Sequence, residues 1–258
     1  MKKLVLALTA AAAFSAPAIA ADMAAKAPMR AAPVAYAPSW TGCYVGAGGG
    51  YGLSNNDSHL EAAGVRTSTD LTQGGRGYLA TVGVGCDYQF SNFVIGAFAD
   101  ADWTNIRGDH TGQSPAAVGL SATDKMTLDW TWNVGGRVGY LITPSLLTYF
   151  TAGYTEAQFS GATYKNLAGA LTGFGVSSQT YQGYFIGAGD EYALSFLPGL
   201  FWKTEYRFAD YNSKNVPVFA TATGLPTGVL ESTHNYVHTV RSELVYRFNW
   251  GGAVVAKY

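Results

Sequence analysis

Residues 125–140 read KMTLDWTWNVGGRVGY, and every second residue of this stretch belongs to one chemical class. The apolar class consists of Met126, Leu128, Trp130, Trp132, Val134, Val138 and Tyr140. The polar class consists of Lys125, Thr127, Asp129, Thr131, Asn133 and Arg137. Successive side chains of a β-strand point to opposite faces, so this period predicts a strand with one apolar and one charged face. The tryptophans, together with an export signal at the N-terminus, favour a strand whose apolar face contacts lipid and whose polar face lines a closed interior.

The N-terminus has the layout of a secretory signal peptide. Two lysines precede an apolar stretch, and a small-x-small cleavage site ends at Ala20. This order of charge, apolar core and small residues is typical of exported proteins. We therefore predict a signal peptide at 1–20, an Ala- and Pro-rich periplasmic linker at 21–39, and a membrane domain at 40–258.

The composition is poor in charge and rich in glycine and aromatic residues. The 16 Lys and Arg nearly balance the 17 Asp and Glu, for a net charge of −1, so the chain has no basic excess for a nucleic-acid partner. The 32 Gly, 17 Tyr, 13 Phe and 6 Trp are typical of a barrel with aromatic belts and crowded interior positions. No segment of the mature chain has the ~18 uninterrupted apolar residues that a spanning helix needs.

Eight alternating segments follow the linker, and each is long enough to cross a bilayer as a tilted strand. They lie at about 40–53, 77–90, 92–105, 125–140, 145–159, 180–193, 199–211 and 236–248. Short turns at 91–92, 143–144 and 195–198 alternate with long connections at 54–76, 106–124, 160–179 and 212–235. Short turns on one side and long loops on the other are typical of outer-membrane barrels, whose long loops face outside. The sequence therefore predicts an all-β fold, an up-and-down barrel of eight antiparallel transmembrane strands.

The alternation also predicts two belts of lipid-facing aromatic side chains, as expected at the two membrane–water interfaces. The periplasmic belt consists of Tyr88, Phe90, Phe93, Tyr140, Tyr149, Tyr192, Trp202, Tyr246 and Phe248. The external belt consists of Tyr51, Tyr78, Trp103, Trp130, Phe159, Tyr184 and Phe208. Asp190 is the one acidic residue that the alternation places on the lipid side, near the periplasmic rim.

The inward faces carry the ionisable residues of the strands. Their principal members are Asp100, Asp102, Asp129, Arg137, Glu191, Lys203, Glu205, Arg207, Arg241, Glu243 and Arg247, and the same face also holds Asp87, Lys125 and Glu156. An eight-stranded barrel is just wide enough for side chains to fill its interior, and unpaired buried charge is costly. We therefore interpret these residues as a paired structural cluster. A water-filled pore and a catalytic carboxylate pair are the alternatives.

The histidines give no catalytic or metal site. His59, His110, His234 and His238 lie in or beside the long connections without metal-ligand spacing. His238 and Ser242 are about four rises of ~3.3 Å apart on one strand, beyond hydrogen-bond reach. The sequence therefore predicts no catalytic residue, no metal and no cofactor.

Cys43 and Cys86 are the only cysteines, and both face outward on neighbouring antiparallel strands. A register that pairs them also pairs Trp40 with Gln89 and suits the limits of both strands. A directly opposed pair in the oxidising periplasm can form a disulfide. Two interpretations stay open, a bridge and a pair of small apolar side chains in lipid, because a one-residue slip would put them on unlike faces.

Several stretches resemble a known family. They are WTGCYVGAGGGYG (40–52), VGCDYQFSNFVIG (84–96), GGRVGYLI (135–142), IGAGDEYAL (186–194), TEYRFAD (204–210) and HTVRSELVYRFNWGGAVVAKY (238–258). They are similar to the alphaproteobacterial outer-membrane β-barrel surface antigens, of the OmpA-like, opacity-type class of eight-stranded porin-like proteins. This resemblance implies structural, envelope-stabilising and surface-exposed roles, with no catalytic residues to transfer. The chain departs from the family at Cys43, Cys86, Phe98 and Asp190, and its terminal aromatic residue is Phe248 or Tyr258.

These observations predict a non-enzymatic protein of the cell outer membrane of a Gram-negative bacterium, with an envelope-integrity role and surface-exposed loops. A narrow porin for small solutes is the second hypothesis, and an outer-membrane lipid-modifying enzyme is the third. The expected partners are outer-membrane lipid and lipopolysaccharide, the barrel-assembly machinery during biogenesis, and an unknown extracellular ligand bound through the loops. No nucleic acid is expected.

Overall fold

A computed structural model of the protein describes residues 38–113, 121–166 and 168–248. The predicted signal peptide, all but the last two residues of the predicted linker, and the tail at 249–258 with Tyr258 lie outside the described residues. Across those described ranges, no helix has the length and apolar character needed to span a bilayer.

Eleven β-strands make up the described chain. They are β1 (Gly42–Ala62), β2 (Val65–Arg66), β3 (Leu71–Phe90), β4 (Phe93–Gln113), β5 (Ser121–Thr143), β6 (Leu146–Phe159), β7 (Ala162–Lys165), β8 (Leu171–Val176), β9 (Gln179–Ala193), β10 (Leu200–Ala220) and β11 (Pro226–Phe248).

Eight of these strands form a closed antiparallel ring. The order is β1, β3, β4, β5, β6, β9, β10 and β11, and β11 pairs back with β1 from Cys43 opposite Phe248 to Ala62 opposite Val229. Closure pairs the backbone groups of both end strands, so no sheet edge is left open in the membrane. The predicted eight-stranded antiparallel barrel is confirmed.

The short strands extend the wall on the external side. β7 pairs with β5, β8 pairs with β10, and β7 and β8 pair with each other. They thus continue β6 and β9, with breaks at 160–161 and 177–178. β2 only folds back on the end of β1. The ring therefore still contains eight strands above the membrane.

Most of the connections predicted as long loops are strands. Seven residues or more are added to β1, β4, β10 and β11 beyond their predicted external ends, and these strands reach 21 to 23 residues. The prediction of loops there was wrong because it required hydrophobic alternation. Outside lipid, both faces of a strand can be polar, so the alternation stops although the hydrogen-bonded pairing continues. The three short periplasmic turns are present as predicted.

The outward face has an apolar band between two aromatic belts. On β3 the apolar side chains run from Tyr78 to Tyr88, ten steps that span about 25 Å at a rise of ~3.3 Å and a tilt of ~40°. Neighbouring belt members are in contact, with ring centroids 5.2 Å apart for Tyr51 and Tyr78 and for Phe93 and Tyr140. The band matches the thickness of an outer-membrane hydrocarbon layer.

The predicted faces of β6 are wrong. Leu147, Tyr149 and Phe159 are buried in the interior, 0 to 3 % exposed, and Glu156 lies on the outer face with Tyr154. The segment LLTYFTAGYTEAQF carries apolar residues at both parities, so period two does not define its inner face. Two members of the predicted belts, one in each, are therefore core residues.

A β-bulge changes the faces of β5 at Asp129. The register to β6 shifts between Leu128 and Trp130, so Asp129 is an extra residue opposite Gln158. A bulge inserts one residue and reverses the alternation beyond it. Leu128 is buried and Lys125 is exposed, so the predicted lipid-facing Met126 and Leu128 and the predicted inward Lys125 and Asp129 were wrong for this end of the strand.

Candidate functional site

The predicted ionisable residues meet inside the barrel, and this interior is the candidate site. Its network side chains are no more than 11 % exposed. All of the predicted cluster except Asp129 belongs to the network, and Asp87 joins it. The interior strand positions therefore form one buried set of cations and carboxylates.

Two arginines and two carboxylates form a closed ring near the periplasmic end. Arg137 donates from Nε to Asp87 Oδ1 at 2.8 Å and from Nη1 to Glu191 Oε2 at 2.8 Å. Arg247 donates from Nη1 to Asp87 Oδ2 at 2.6 Å and from Nη2 to Glu191 Oε1 at 2.7 Å. Each charge of the ring thus has two partners of opposite sign, which offsets the cost of its burial.

The ring lies against aromatic side chains. The Arg247 guanidinium carbon is 5.1 Å from the centroid of Trp40 and 4.9 Å from that of Tyr44. Arg137 lies 4.8 Å from Tyr44. A Cβ at Gly96, which lies opposite both Asp87 and Arg137, would overlap the Asp87 carboxylate, so this position requires glycine for the ion pair to form.

A second cluster lies on the external side of this ring. Arg207 binds both oxygens of Asp100, at 3.1 and 3.0 Å, and its Nε donates to Glu205 at 2.8 Å. Arg241 joins Asp100 to Asp102, with Nη1 and Nη2 at 3.0 and 2.7 Å. Bidentate and shared contacts of this kind fix the planar guanidinium groups in one geometry.

A single pair, Lys203 Nζ and Glu243 Oε2 at 2.8 Å, completes the network. Six carboxylates then face five cations. Neutral donors also hydrogen-bond the carboxylates: Thr131 and Asn133 donate to Asp102 and Asp100 at 2.7 and 2.6 Å. The Tyr149 hydroxyl, which the sequence pattern placed in lipid, donates to Glu205 at 3.1 Å.

Apolar layers lie above and below the charges, and sequence reasoning missed them. Trp40 is fully buried at the periplasmic end, and its indole donates to the Pro144 carbonyl at 3.1 Å. With it pack Tyr44, Val94, Leu141, Leu147, Tyr149, Phe201 and Val245. On the external side pack Ile106, Leu128, Ala157, Phe159, Tyr181, Phe185, Ala209, Tyr211 and Val237. An apolar residue in an interior position looks like a break in the alternation, so only the doubled pattern of β6 could have signalled these layers.

The space left inside is small. Three cavities lined by described interior residues have volumes of about 10 to 20 Å³. A cavity of that size has room for about one water molecule. The interior is thus filled by side chains, as expected for eight strands.

The described histidines pair with acids or tyrosines on the outer surface. His59 contacts Glu61 at 3.2 Å, His234 contacts Asp210 at 2.7 Å, and His238 Nδ1 contacts the Tyr206 hydroxyl at 2.7 Å. They lie on strands rather than loops, and the side chain of His110 is outside the described part. Ser242 accepts a hydrogen bond from Trp202 instead of meeting His238.

The described side chains do not assemble a reactive centre around these histidines. No serine or cysteine hydroxyl or thiol among them is hydrogen-bonded to His59, His234 or His238. Within the same described ranges, no three His, Cys, Asp or Glu side chains are grouped to hold a metal ion.

Cys43 and Cys86 lie directly opposite each other on β1 and β3, and a disulfide joins their sulfur atoms. Trp40 N donates to Gln89 Oε1 at 3.4 Å, in the register that pairs the cysteines. Asp190 faces outward near the periplasmic rim and accepts a hydrogen bond from Thr148 at 2.5 Å. The other family departure, Phe98, packs inside against Phe185.

Comparisons with known proteins place the chain in a family. It is 33 % identical to the 31 kDa outer-membrane immunogenic protein of Brucella melitensis over 261 residues, which cover 96 % of this chain and all of that protein. The 22 kDa outer membrane protein of Rhizobium leguminosarum is 29 % identical over 188 residues, covering 71 % of this chain and 70 % of that protein. No family model matches the sequence.

The fold is shared with a solved outer-membrane protein. OprG of Pseudomonas aeruginosa aligns with 83 % of this chain and all of its own, with a TM-score of 0.52 and 13 % identity. The closed eight-stranded wall, its aromatic belts and the full-length similarity to an outer-membrane antigen agree with one another. The chain therefore belongs to the family of the 31 kDa outer-membrane immunogenic proteins and is a β-barrel protein of the Gram-negative outer membrane.

Proposed function

We propose that this protein is a non-enzymatic structural component of the outer membrane, with a sealed interior and an external end that presents surface to the outside. The observation that carries this proposal is the filled interior. Its charges are paired with one another, and the cavities found beside them have room for single water molecules. A water-filled path would instead need continuous open space lined by polar side chains.

The rigid interior supports an envelope role. Contacts across the barrel join residues far apart in the chain, such as Arg247 with Asp87, 160 residues away. Such links resist deformation of the wall, and the apolar band anchors it in lipid. The wall also continues above the external belt through β7 and β8, which lifts the loop ends away from the membrane surface.

Single-channel recording tests the sealed interior. Purified wild-type protein, shown to be folded by a mobility shift between unboiled and boiled samples, is inserted into planar bilayers. We expect no steady conductance above that of the bare bilayer. A reproducible ohmic conductance from the folded protein would contradict the proposal and favour a narrow porin for small solutes.

A second measurement tests the non-enzymatic part of the proposal. The folded protein is incubated with phospholipid and lipopolysaccharide, and the lipids are compared by mass spectrometry with a sample lacking protein. We expect identical spectra because no described serine or cysteine is hydrogen-bonded to a described histidine. New acyl or headgroup products that depend on His234 or His238 would support the lipid-modifying alternative.

A further inference from the structure

Three cations form a row on the outer surface, just beyond the external aromatic belt. Arg76 on β3, Arg107 on β4 and Lys125 on β5 are all exposed. Arg76 lies directly opposite Arg107. Lys125 lies opposite Asp109, two residues further from the membrane than Arg107. The row includes Lys125 because the bulge at Asp129 turns this side chain outward.

The height of this row is set by the belt below it. Arg76 is two residues beyond Tyr78, and its cross-strand neighbour Leu53 is two residues beyond Tyr51. At a rise of ~3.3 Å per residue and a tilt of ~40°, the backbone of Arg76 lies about 5 Å outside the belt. Aromatic belts mark the edge of the hydrocarbon layer, so the cations lie at the level of the outer-leaflet headgroups.

The two arginines have no counter-charge in the described structure. Among the described side chains, no salt bridge reaches Arg76, Arg107 or Lys125. Asp109 is the acid nearest in register, opposite Lys125, and Asp129 lies on the bulge below it. Like charges directly opposite each other on antiparallel strands are destabilising, so the Arg76 and Arg107 pair favours an external anion.

The surface at this point is also hollow. Glycines at 74, 75 and 108 leave a cleft of about 580 Å³ that is lined as well by Leu53, Ser54, Asn55, the three cations and one acid, Asp109, so its charged lining has a net positive charge. Small-molecule sites commonly have volumes in this range. The cleft therefore combines room for a headgroup with two guanidinium groups suited to bidentate contact with phosphate.

We propose that this cleft binds a phosphate group of the lipopolysaccharide headgroup in the outer leaflet. Arg76 and Arg107 hold the phosphate between them, and Lys125 contacts it from the external side. Leu53, which is half exposed at the membrane edge of the cleft, packs against the apolar part of the same lipid. This site is independent of whether the interior conducts.

The test compares two charge-matched variants of the mature protein in lipid nanodiscs. Arg76→Gln/Arg107→Gln removes the proposed anchors, and Arg66→Gln/Lys214→Gln removes two exposed cations elsewhere on the external region. Binding of fluorescent lipopolysaccharide is titrated in EDTA, with phosphorylated and enzymatically dephosphorylated forms. We expect the anchor variant to bind at least about tenfold more weakly, whereas the control binds like wild type.

The probe arms separate the sources of binding. Dephosphorylated lipid should bind wild type as weakly as the phosphorylated lipid binds the anchor variant, and binding should weaken with salt. Equal binding by both variants overturns the proposal. If wild type does not bind the lipid in EDTA, the proposal is also overturned, because binding would then require a divalent cation held by Asp109. Displacement of the lipid by an equal concentration of inorganic phosphate overturns it as well.

Discussion

At the scale of single residues, Arg247 shows how charge is tolerated in this interior. Its guanidinium contacts Asp87 on β3 and Glu191 on β9, and it lies over the ring of Tyr44 on β1. A lone buried guanidinium would be strongly destabilising, but carboxylates from two strands and the Trp40 carbonyl accept its hydrogen bonds. Removal of one member of the network would therefore destabilise the protein, because it leaves the partners of that member buried without a counter-charge.

The Lys203 and Glu243 pair makes this testable because each is mainly the partner of the other. Lys203→Met should destabilise the folded protein by about 3–5 kcal/mol, since it leaves a buried carboxylate unpaired. Lys203→Met/Glu243→Gln should cost less than the sum of the two single changes. Urea unfolding in lipid vesicles, followed by tryptophan fluorescence, measures all three variants. Additive losses would mean that the pair is not coupled.

At the scale of strands, the sequence pattern was sufficient where one face was uniformly apolar. The faces of β3, β10 and β11 match the period-two prediction, including the inward Arg207 and Arg241. It was insufficient on β6, where an aromatic layer occupies the interior, and on β5 beyond Asp129. A bulge depends on the register with two neighbours, which no single strand encodes.

Spin labels on β5 test the bulge. In a background of Cys43→Ser/Cys86→Ser, labels at Val134→Cys and Val138→Cys should collide readily with oxygen dissolved in lipid. A label at Leu128→Cys should be shielded, because Leu128 is buried in the external apolar layer. The three positions share one parity, so an unbroken strand predicts the same accessibility for all of them. Lipid exposure at 128 would remove the bulge and the outward Lys125 with it.

At the scale of the whole molecule, the sequence predicted the number of membrane-spanning strands and their order. Which end of the barrel faces the periplasm stays a prediction. The sequence could not predict the partners of the interior charges, because residues from β3, β9 and β11 come together only when the ring closes. It also missed the external extension, where strand pairing no longer depends on apolar alternation. The predicted register of Cys43 with Cys86 is the one observed.

The bridge between these cysteines should stabilise the barrel. It links residues 43 positions apart, and restriction of a loop of that length in the unfolded chain is worth about 4 kcal/mol. We expect reductant to lower the free energy of unfolding of the wild type, measured by urea titration in vesicles. Cys43→Ser/Cys86→Ser is the control, and reductant should not affect it. Alkylation of both thiols in the unreduced folded protein would show that the bridge is absent.

The placement of Arg241, Glu243 and Arg247 on β11 has a consequence for biogenesis. The carboxylates of Asp87 and Asp102 belong to strands made earlier, yet Arg247 and Arg241, which bind them, arrive on the last strand; only Arg137, the second partner of Asp87, precedes them. A partly folded barrel that lacks this strand would have unpaired carboxylates facing its interior. We therefore expect chains truncated before β11 to remain unfolded rather than to close as smaller barrels, because their interior carboxylates would lack these partners.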